Sequence, residues 1–375
     1  MKYIMMAIIL MAVLIFAGCS QTPTGNIIQE TKEPIKIGFI APLTGDVSSI
    51  GQSTKKSVEL AVAEINSMGG VDGRELKVIY EDGKCSGKDA NNAANKLINI
   101  DEVDYIIGGI CSAETMSFAV VAEESKTLVI SPCSSNADIT NMGDYIFRAY
   151  PSDLFQGKFA AEYAYNELDA RRVAILASQS DWGAGLKKVF RDTFVALGGE
   201  IVLIEEFPQG SADLRTSFIK VKELNPDLIY MPAYTESSVN GLKQAEELGI
   251  TTQLFGGDAW SDRTIWERTK GYADGNLYVE VDVEIPEAFE TKFRNAYGSD
   301  AEVTLCAPQA YDVVRILTGV ISQVGTNPTN VKNALYKIQP YSGVSGKISF
   351  DSNGDLNEAG YVVMEITNGK PVARR

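Results

Sequence analysis

From residue 35 onward, short β-branched runs alternate with amphipathic helical stretches, a grammar that calls for parallel strands joined by helical crossovers. Runs at 35–40, 76–80, 104–107 and 127–130 read as strands. Between the first two, Val58, Ala61, Val62 and Ile65 fall at i, i+3, i+4 and i+7 on one helical face, which Gly69 and Gly70 end. The grammar restarts with a strand at 172–176 and a helix whose inner face carries Leu186, Val189, Phe190, Phe194 and Leu197, stopped by Gly198 and Gly199. A strand at 200–205, a helix near 214–224 and a strand at 227–231 follow. The expectation is an α/β fold of two doubly wound α/β lobes with parallel sheets. At 375 residues and 45% hydrophobic content the chain suffices for two cores, since one domain usually takes ~100 to 200 residues. Later helices near 287–297, 307–324 and 329–338, with strands at 347–350 and 361–366, must complete sheets begun earlier.

The N-terminus has the shape of a secretory signal. Lys2 precedes an unbroken apolar run from Tyr3 to Ala17, and polar residues begin after Gly18 and Cys19. The run is somewhat short for a spanning helix, which needs ~20 apolar residues. Phe16, Ala17, Gly18 and Cys19 resemble the lipobox of prokaryotic lipoproteins, with Phe16 in place of the usual leucine. The reading is a signal peptide at 1–18, lipidation at Cys19 and a flexible tether over 19–34. An exported, lipid-anchored protein, periplasmic or cell-surface, follows.

Composition removes whole classes of chemistry. The formal charge of −15, which becomes −16 once Lys2 leaves with the signal, disfavours nucleic acid and anionic lipid as partners. With no histidine in the chain, Ser-His-Asp catalysis and His-bearing zinc sites are excluded. No spaced motif for Ser-Lys or two-carboxylate catalysis is found, so no catalytic residue, cofactor or metal is expected. Of the five cysteines, Cys85 and Cys111 each follow a strand on the same sheet rim. A bond between them would close a loop worth about 3.5 kcal/mol by chain entropy. Cys133 and Cys306 read as two buried free thiols.

In open parallel sheets ligands bind beyond the carboxyl ends of the strands, where helix N-termini offer unpaired N–H groups. After the strand at 104–107 comes Ser112, placed as a helix N-cap. After 127–130 comes a second hydroxyl-rich turn, containing Cys133 and Ser135. Either serine also fits a plain structural cap. In the second unit the corresponding rim carries Asp181 and Trp182, Tyr234, and then Asp258 and Trp260 behind Gly256 and Gly257. Asp181 reads as solvated and Trp260 as core, whereas the glycines before Asp258 let a ligand approach the backbone. An amino acid is a zwitterion, and burying either charge unpaired is costly. One rim offers an anion site and the other a carboxylate.

Taken in order along the chain, Ala41-Pro42-Leu43-Thr44-Gly45, Glu64-Ile65-Asn66 with Gly69 and Gly70, Gly108-Gly109, Ile130-Ser131-Pro132, Phe147-Arg148, Ala310-Tyr311-Asp312, and Phe350-Asp351 before Gly354-Asp355 resemble the branched-chain amino acid binding proteins of ABC transporters, within the type I periplasmic binding protein superfamily. The likeness covers nearly all of residues 35–370. It implies two lobes joined by a three-segment hinge near residues 151, 282 and 345, with the first lobe built from 35–151 plus 283–345 and the second from 152–282 plus 346–375. It implies a Cys85–Cys111 bond, Ser112 and Ser135 on the ligand carboxylate, the Cys133 carbonyl and Asp258 on its ammonium, and Trp182 and Tyr234 closing over it. Asp258 stands where a glutamate is usual, Trp182 where a tyrosine is usual and Ile50 where an aromatic often lies, so the side-chain pocket is reshaped. The implied partners are a small amino acid and ABC permease subunits, with the chain a monomer. Alternative readings are an amide, urea or aromatic acid in the same cleft, or a ligand-sensing ectodomain.

Overall fold

Strand β1 (Ile35–Ala41) is a β-branched and aromatic run buried along almost its whole length, as a central parallel strand must be. The computed structural model describes residues 32–269, 271–357 and 359–374. The signal at 1–18, Cys19 and the tether up to residue 31 lie outside the described residues. Around β1, strands β2 (Leu76–Asp82), β3 (Tyr105–Gly108), β4 (Leu128–Ser131) and β5 (Ile146–Arg148) form an all-parallel sheet in the order β2-β1-β3-β4-β5.

The second sheet starts with β6 (Arg172–Gln179), β7 (Glu200–Pro208), β8 (Leu228–Met231), β9 (Leu254–Gly256) and β10 (Leu277–Val281). A hairpin of β11 (Tyr341–Gly343) and β12 (Gly346–Ile348) stands apart from both sheets, and β13 (Tyr361–Thr367) and β14 (Lys370–Arg374) complete the second in the order β14-β13-β10-β9-β8-β6-β7. This otherwise parallel sheet carries an antiparallel edge, because β13 pairs antiparallel with β10 and with β14. The pairing of Tyr361 with Val281 gives the reason. The chain enters β13 where β10 ends, so it must run the other way.

Helices cover both faces of each sheet. On the first, Ser48–Ser67 and Ala307–Val324 share a core with Ile37, Phe39 and Ile107, while Gly87–Asn99 and Ser112–Ser125 bury the opposite face with Ile40, Ile106 and Val129. On the second, Arg215–Leu224 and Thr235–Glu247 pack one face, and Asp153–Asn166 and Asp181–Ala196 the other. The first core also takes in Trp182, Leu186, Tyr234 and Ala259, so apolar packing continues from one lobe into the other.

Residues 346–357, assigned from sequence to the second lobe, pack on the first. Ile348 and Phe350 join its core, the Arg148 amide donates to the Gly354 carbonyl at 3.0 Å, and the Arg148 guanidinium grips both Asp355 oxygens at 2.6 and 2.7 Å. The chain therefore leaves the first lobe just before β13, well after residue 345. Cys133 and Cys306 are also not free thiols. They form a disulfide with a Cα–Cα distance of 5.3 Å across a separation of 173 residues. The helix that follows Cys306 returns to pack on the first sheet against β3, the neighbour of the strand that precedes Cys133, a contact that spacing along the chain does not reveal. Cys85 is bonded to Cys111, with a Cα–Cα distance of 5.3 Å and a separation of 26.

Candidate ligand-binding cleft

In a parallel sheet ordered 2-1-3-4-5, the crossovers diverge between β1 and β3, and a crevice opens beyond the strand ends there. Val47 and Ile50 follow β1, and Ile110, Cys111 and Ser112 follow β3. All five line one cavity. In the second sheet the corresponding divergence lies between β6 and β8. Trp182 follows β6 and Tyr234 follows β8, and both line that cavity from the other side. Cys133, Ser135, Asp258, Ala259 and Leu305 complete its lining. All six residues singled out from the sequence as ligand-binding (Ser112, Cys133, Ser135, Trp182, Tyr234 and Asp258) thus share one cleft.

Each side chain has a local cause for its position. The helix after β3 spans Ser112–Ser125 with Cys111 as its N-cap, so Ser112 is the first helical residue and not the cap predicted. Glu114 takes over the capping function. Its carboxylate, buried completely, accepts from the amides of Cys85, Ile110 and Cys111 at 3.0, 2.9 and 3.0 Å, while burial pushes its pKa up to about 7. Ser112 is left to face the cleft, where its Oγ accepts from the amides of Ser135 and Asn136 at 3.3 and 3.1 Å. A hydroxyl occupied twice as acceptor keeps its own proton to donate, which suits a carboxylate. Behind this turn, the buried Arg148 donates to the carbonyls of Ser135 and Asn136 at 3.0 and 2.8 Å. Arg148 was legible only as a matching stretch of sequence. Nothing in that stretch announced that it buttresses Ser135.

On the facing lobe, Trp182 and Tyr234 stack with ring centroids 4.7 Å apart and planes 26° from parallel. Asp258 opens a short 3-10 helix, Asp258–Ser261, after β9. Its Oδ2 accepts from the Tyr150 hydroxyl at 2.7 Å and its amide donates to Gln156 Oε1 at 3.4 Å. Burial raises its pKa, and the Tyr150 and Gln156 hydrogen bonds partly offset that. Asp153 lies close by, fully buried, with its pKa raised well above the usual value first by burial and then by the charge of Asp258. Neither Tyr150 nor Asp153 was singled out from sequence. Both sit where the chain first crosses between lobes, a place no local motif marks. Asp181 is exposed and Trp260 fully buried.

The mouth of the cleft is bridged directly. Asp262 Oδ2 accepts from Ser49 Oγ of the first lobe at 2.6 Å and from Thr235 Oγ1 of the second at 2.7 Å. The Glu236 amide donates to Asp46 Oδ1 at 2.8 Å, and Asn136 Nδ2 donates to the Asp181 carbonyl at 2.6 Å.

Two doubly wound sheets meeting at their switch points, with hydroxyls on one wall and a carboxylate on the other, define a two-lobed ligand trap. The chain belongs to the periplasmic binding protein family, whose sequence profile matches residues 34–371. It is 27% identical over 351 residues to the Leu/Ile/Val-binding protein of Escherichia coli K12, covering 91% of this chain and 93% of that protein. It is 26% identical to the leucine-, isoleucine-, valine-, threonine- and alanine-binding protein of Pseudomonas aeruginosa, covering 89% and 90%. Among solved structures, the branched-chain amino acid transporter substrate binding protein of Streptococcus pneumoniae in complex with isoleucine superposes with a TM-score of 0.83 at 28% identity, covering 91% of this chain and 99% of that one. A Rhodopseudomonas palustris solute binding protein in complex with 4-hydroxybenzoate shares the fold at a TM-score of 0.82 and 22% identity, covering 91% and 96%.

Proposed function

We propose that this chain is the extracytoplasmic solute-binding component of an ABC importer, taking an α-amino acid with a small aliphatic side chain between its lobes. The observation that carries this reading is the convergence of Ser112 and Ser135 with Asp258 in one cavity. The first two answer a ligand carboxylate and Asp258, with the Cys133 carbonyl, its ammonium. Trp182 and Tyr234 cover the ligand from the second lobe. Val47, Ile50, Ile110 and Leu305 give the side chain an aliphatic wall, consistent with relatives named for leucine, isoleucine and valine.

The protein performs no chemical step in this role. It acts as a monomer, tethered through lipid on Cys19, and delivers its ligand to permease subunits. Among the described residues no helix is long and apolar enough to cross a membrane. A thermal-shift panel tests the ligand class, because stabilisation follows RT ln(1 + [L]/Kd). Branched-chain amino acids should raise the melting temperature. A rise with amides, ureas or aromatic acids and none with α-amino acids would overturn the reading.

A further inference from the structure

Behind the amino acid cleft lies a second chamber of about 520 Å3 including its mouth. Leu305 borders both spaces. Two bonded pairs also have one partner lining each space. Asp258 lines the cleft and Tyr150 the chamber, and Cys133 lines the cleft and Cys306 the chamber.

The chamber wall is chemically unfinished. Ser261, Thr304 and Gln309 line it, and Ser261 Oγ, Thr304 Oγ1 and Gln309 Oε1 are each buried without a hydrogen-bond partner, though Thr304 and Gln309 also border neighbouring pockets. Gln309 is only 8% exposed. Buried polar atoms are almost always satisfied, so three orphans on one cavity point to a polar occupant. The donor and acceptor inventory says which kind. An amide oxygen only accepts, and the two hydroxyls accept as readily as they donate. Glu280 also lines the chamber, taking a hydrogen bond from the Tyr278 hydroxyl at 3.3 Å, and burial pushes its carboxyl up to about 7. Among the described residues lining the chamber none is basic. The other walls are aliphatic, including Val281, Val283 and Ile285, a surface along which a methylene stem packs well.

We propose that this chamber is a side-chain subsite for amino acids that carry an N–H-bearing head on a methylene stem, with Leu305 as the gate from the main cleft. The stem runs past Leu305 along the aliphatic wall, and the head donates to Gln309, Thr304, Ser261 and Glu280. This rests on the amino acid reading of the cleft and adds a second ligand class to it.

Isothermal titration of the full chain tests the subsite with L-lysine and L-ornithine against L-norleucine, which keeps a stem without the head, and L-isoleucine, which the main cleft holds alone. Lysine or ornithine should bind at least tenfold more tightly than norleucine. Thr304→Val and Gln309→Leu should each weaken that ligand by tenfold or more while isoleucine stays within about threefold. Thr304→Val is close to isosteric and keeps the test available should Gln309→Leu fold poorly. The subsite alone is overturned if isoleucine binds and neither lysine nor ornithine does, or if the variants shift both ligand classes equally. If no α-amino acid binds the wild-type chain, the amino acid reading falls and takes the subsite with it.

Discussion

The hydroxyl of Tyr150, on the first crossing between lobes, donates to Oδ2 of Asp258 at 2.7 Å. A residue of the hinge thus holds the carboxylate assigned to the ligand ammonium. Asp258→Asn removes the charge and keeps the shape, leaving a buried ammonium without a counter-ion. Titration calorimetry should show amino acid affinity falling by more than tenfold. Unchanged affinity would remove Asp258 from its role. Tyr150→Phe deletes the hydrogen bond that lowers the pKa of Asp258, and should weaken binding by less than the charge loss does.

Acid should release the ligand earlier than an ordinary aspartate predicts. Burial raises the Asp258 pKa above 3.8, so the charge that attracts the ammonium is complete above the raised value and disappears as pH falls through it. Affinity measured from neutral to acidic pH should begin to decline above 3.8. An affinity flat down to that point would contradict the burial argument.

For Asp153 the sign runs the other way on stability. Its raised pKa means that the folded state binds the proton more tightly than the unfolded chain does. That contribution is complete below the unfolded value of 3.8 and is lost as pH rises toward the folded one. Asp153→Asn has no such loss. Its melting temperature should therefore gain on the wild type as pH increases, which differential scanning calorimetry across pH would read out.

Arg148 is wholly buried, and Asp355 supplies its counter-charge. Removing one partner of such a pair commonly costs about 3–5 kcal/mol. Asp355→Asn should lower the unfolding free energy by an amount of that order in denaturant titration. It should also weaken ligand binding, because Arg148 holds the Ser135 and Asn136 carbonyls.

The bond between Cys133 and Cys306 closes a loop of 173 residues, which chain entropy values at about 5 kcal/mol. Replacing both by serine should lower the melting temperature of the oxidised protein more than the corresponding change at Cys85 and Cys111, whose loop spans 26. An equal drop from both replacements would place the stabilisation in local packing instead.

What the sequence disclosed follows from the range of the forces involved. Strand runs and helix faces are local patterns, so both sheets were foreseen, and so were the rim turns bearing Ser112, Ser135 and Asp258. The Arg148–Asp355 pair, the Tyr150–Asp258 hydrogen bond and the Cys133–Cys306 bond join residues 207, 108 and 173 positions apart, where no periodicity operates. The lobe of residues 346–357 was misplaced for the same cause. A short strand pattern at 347–350 shows an extended segment without showing which core it buries. Leu305 carries no signal at all, being one leucine in a loop whose importance comes from what lies on either side of it.

Asp262 takes hydrogen bonds from both jaws at the mouth, from Ser49 and from Thr235, and it does not line the cavity. Bonds that join the jaws outside the ligand cavity favour the shut form, and a guest can only move that balance by the difference between its affinities for shut and open forms. A receiver that recognises the shut form would then register a proportion, with an empty background set by these few bonds. Weakening them would lower that background and widen the contrast between fed and starved conditions, at some loss of affinity.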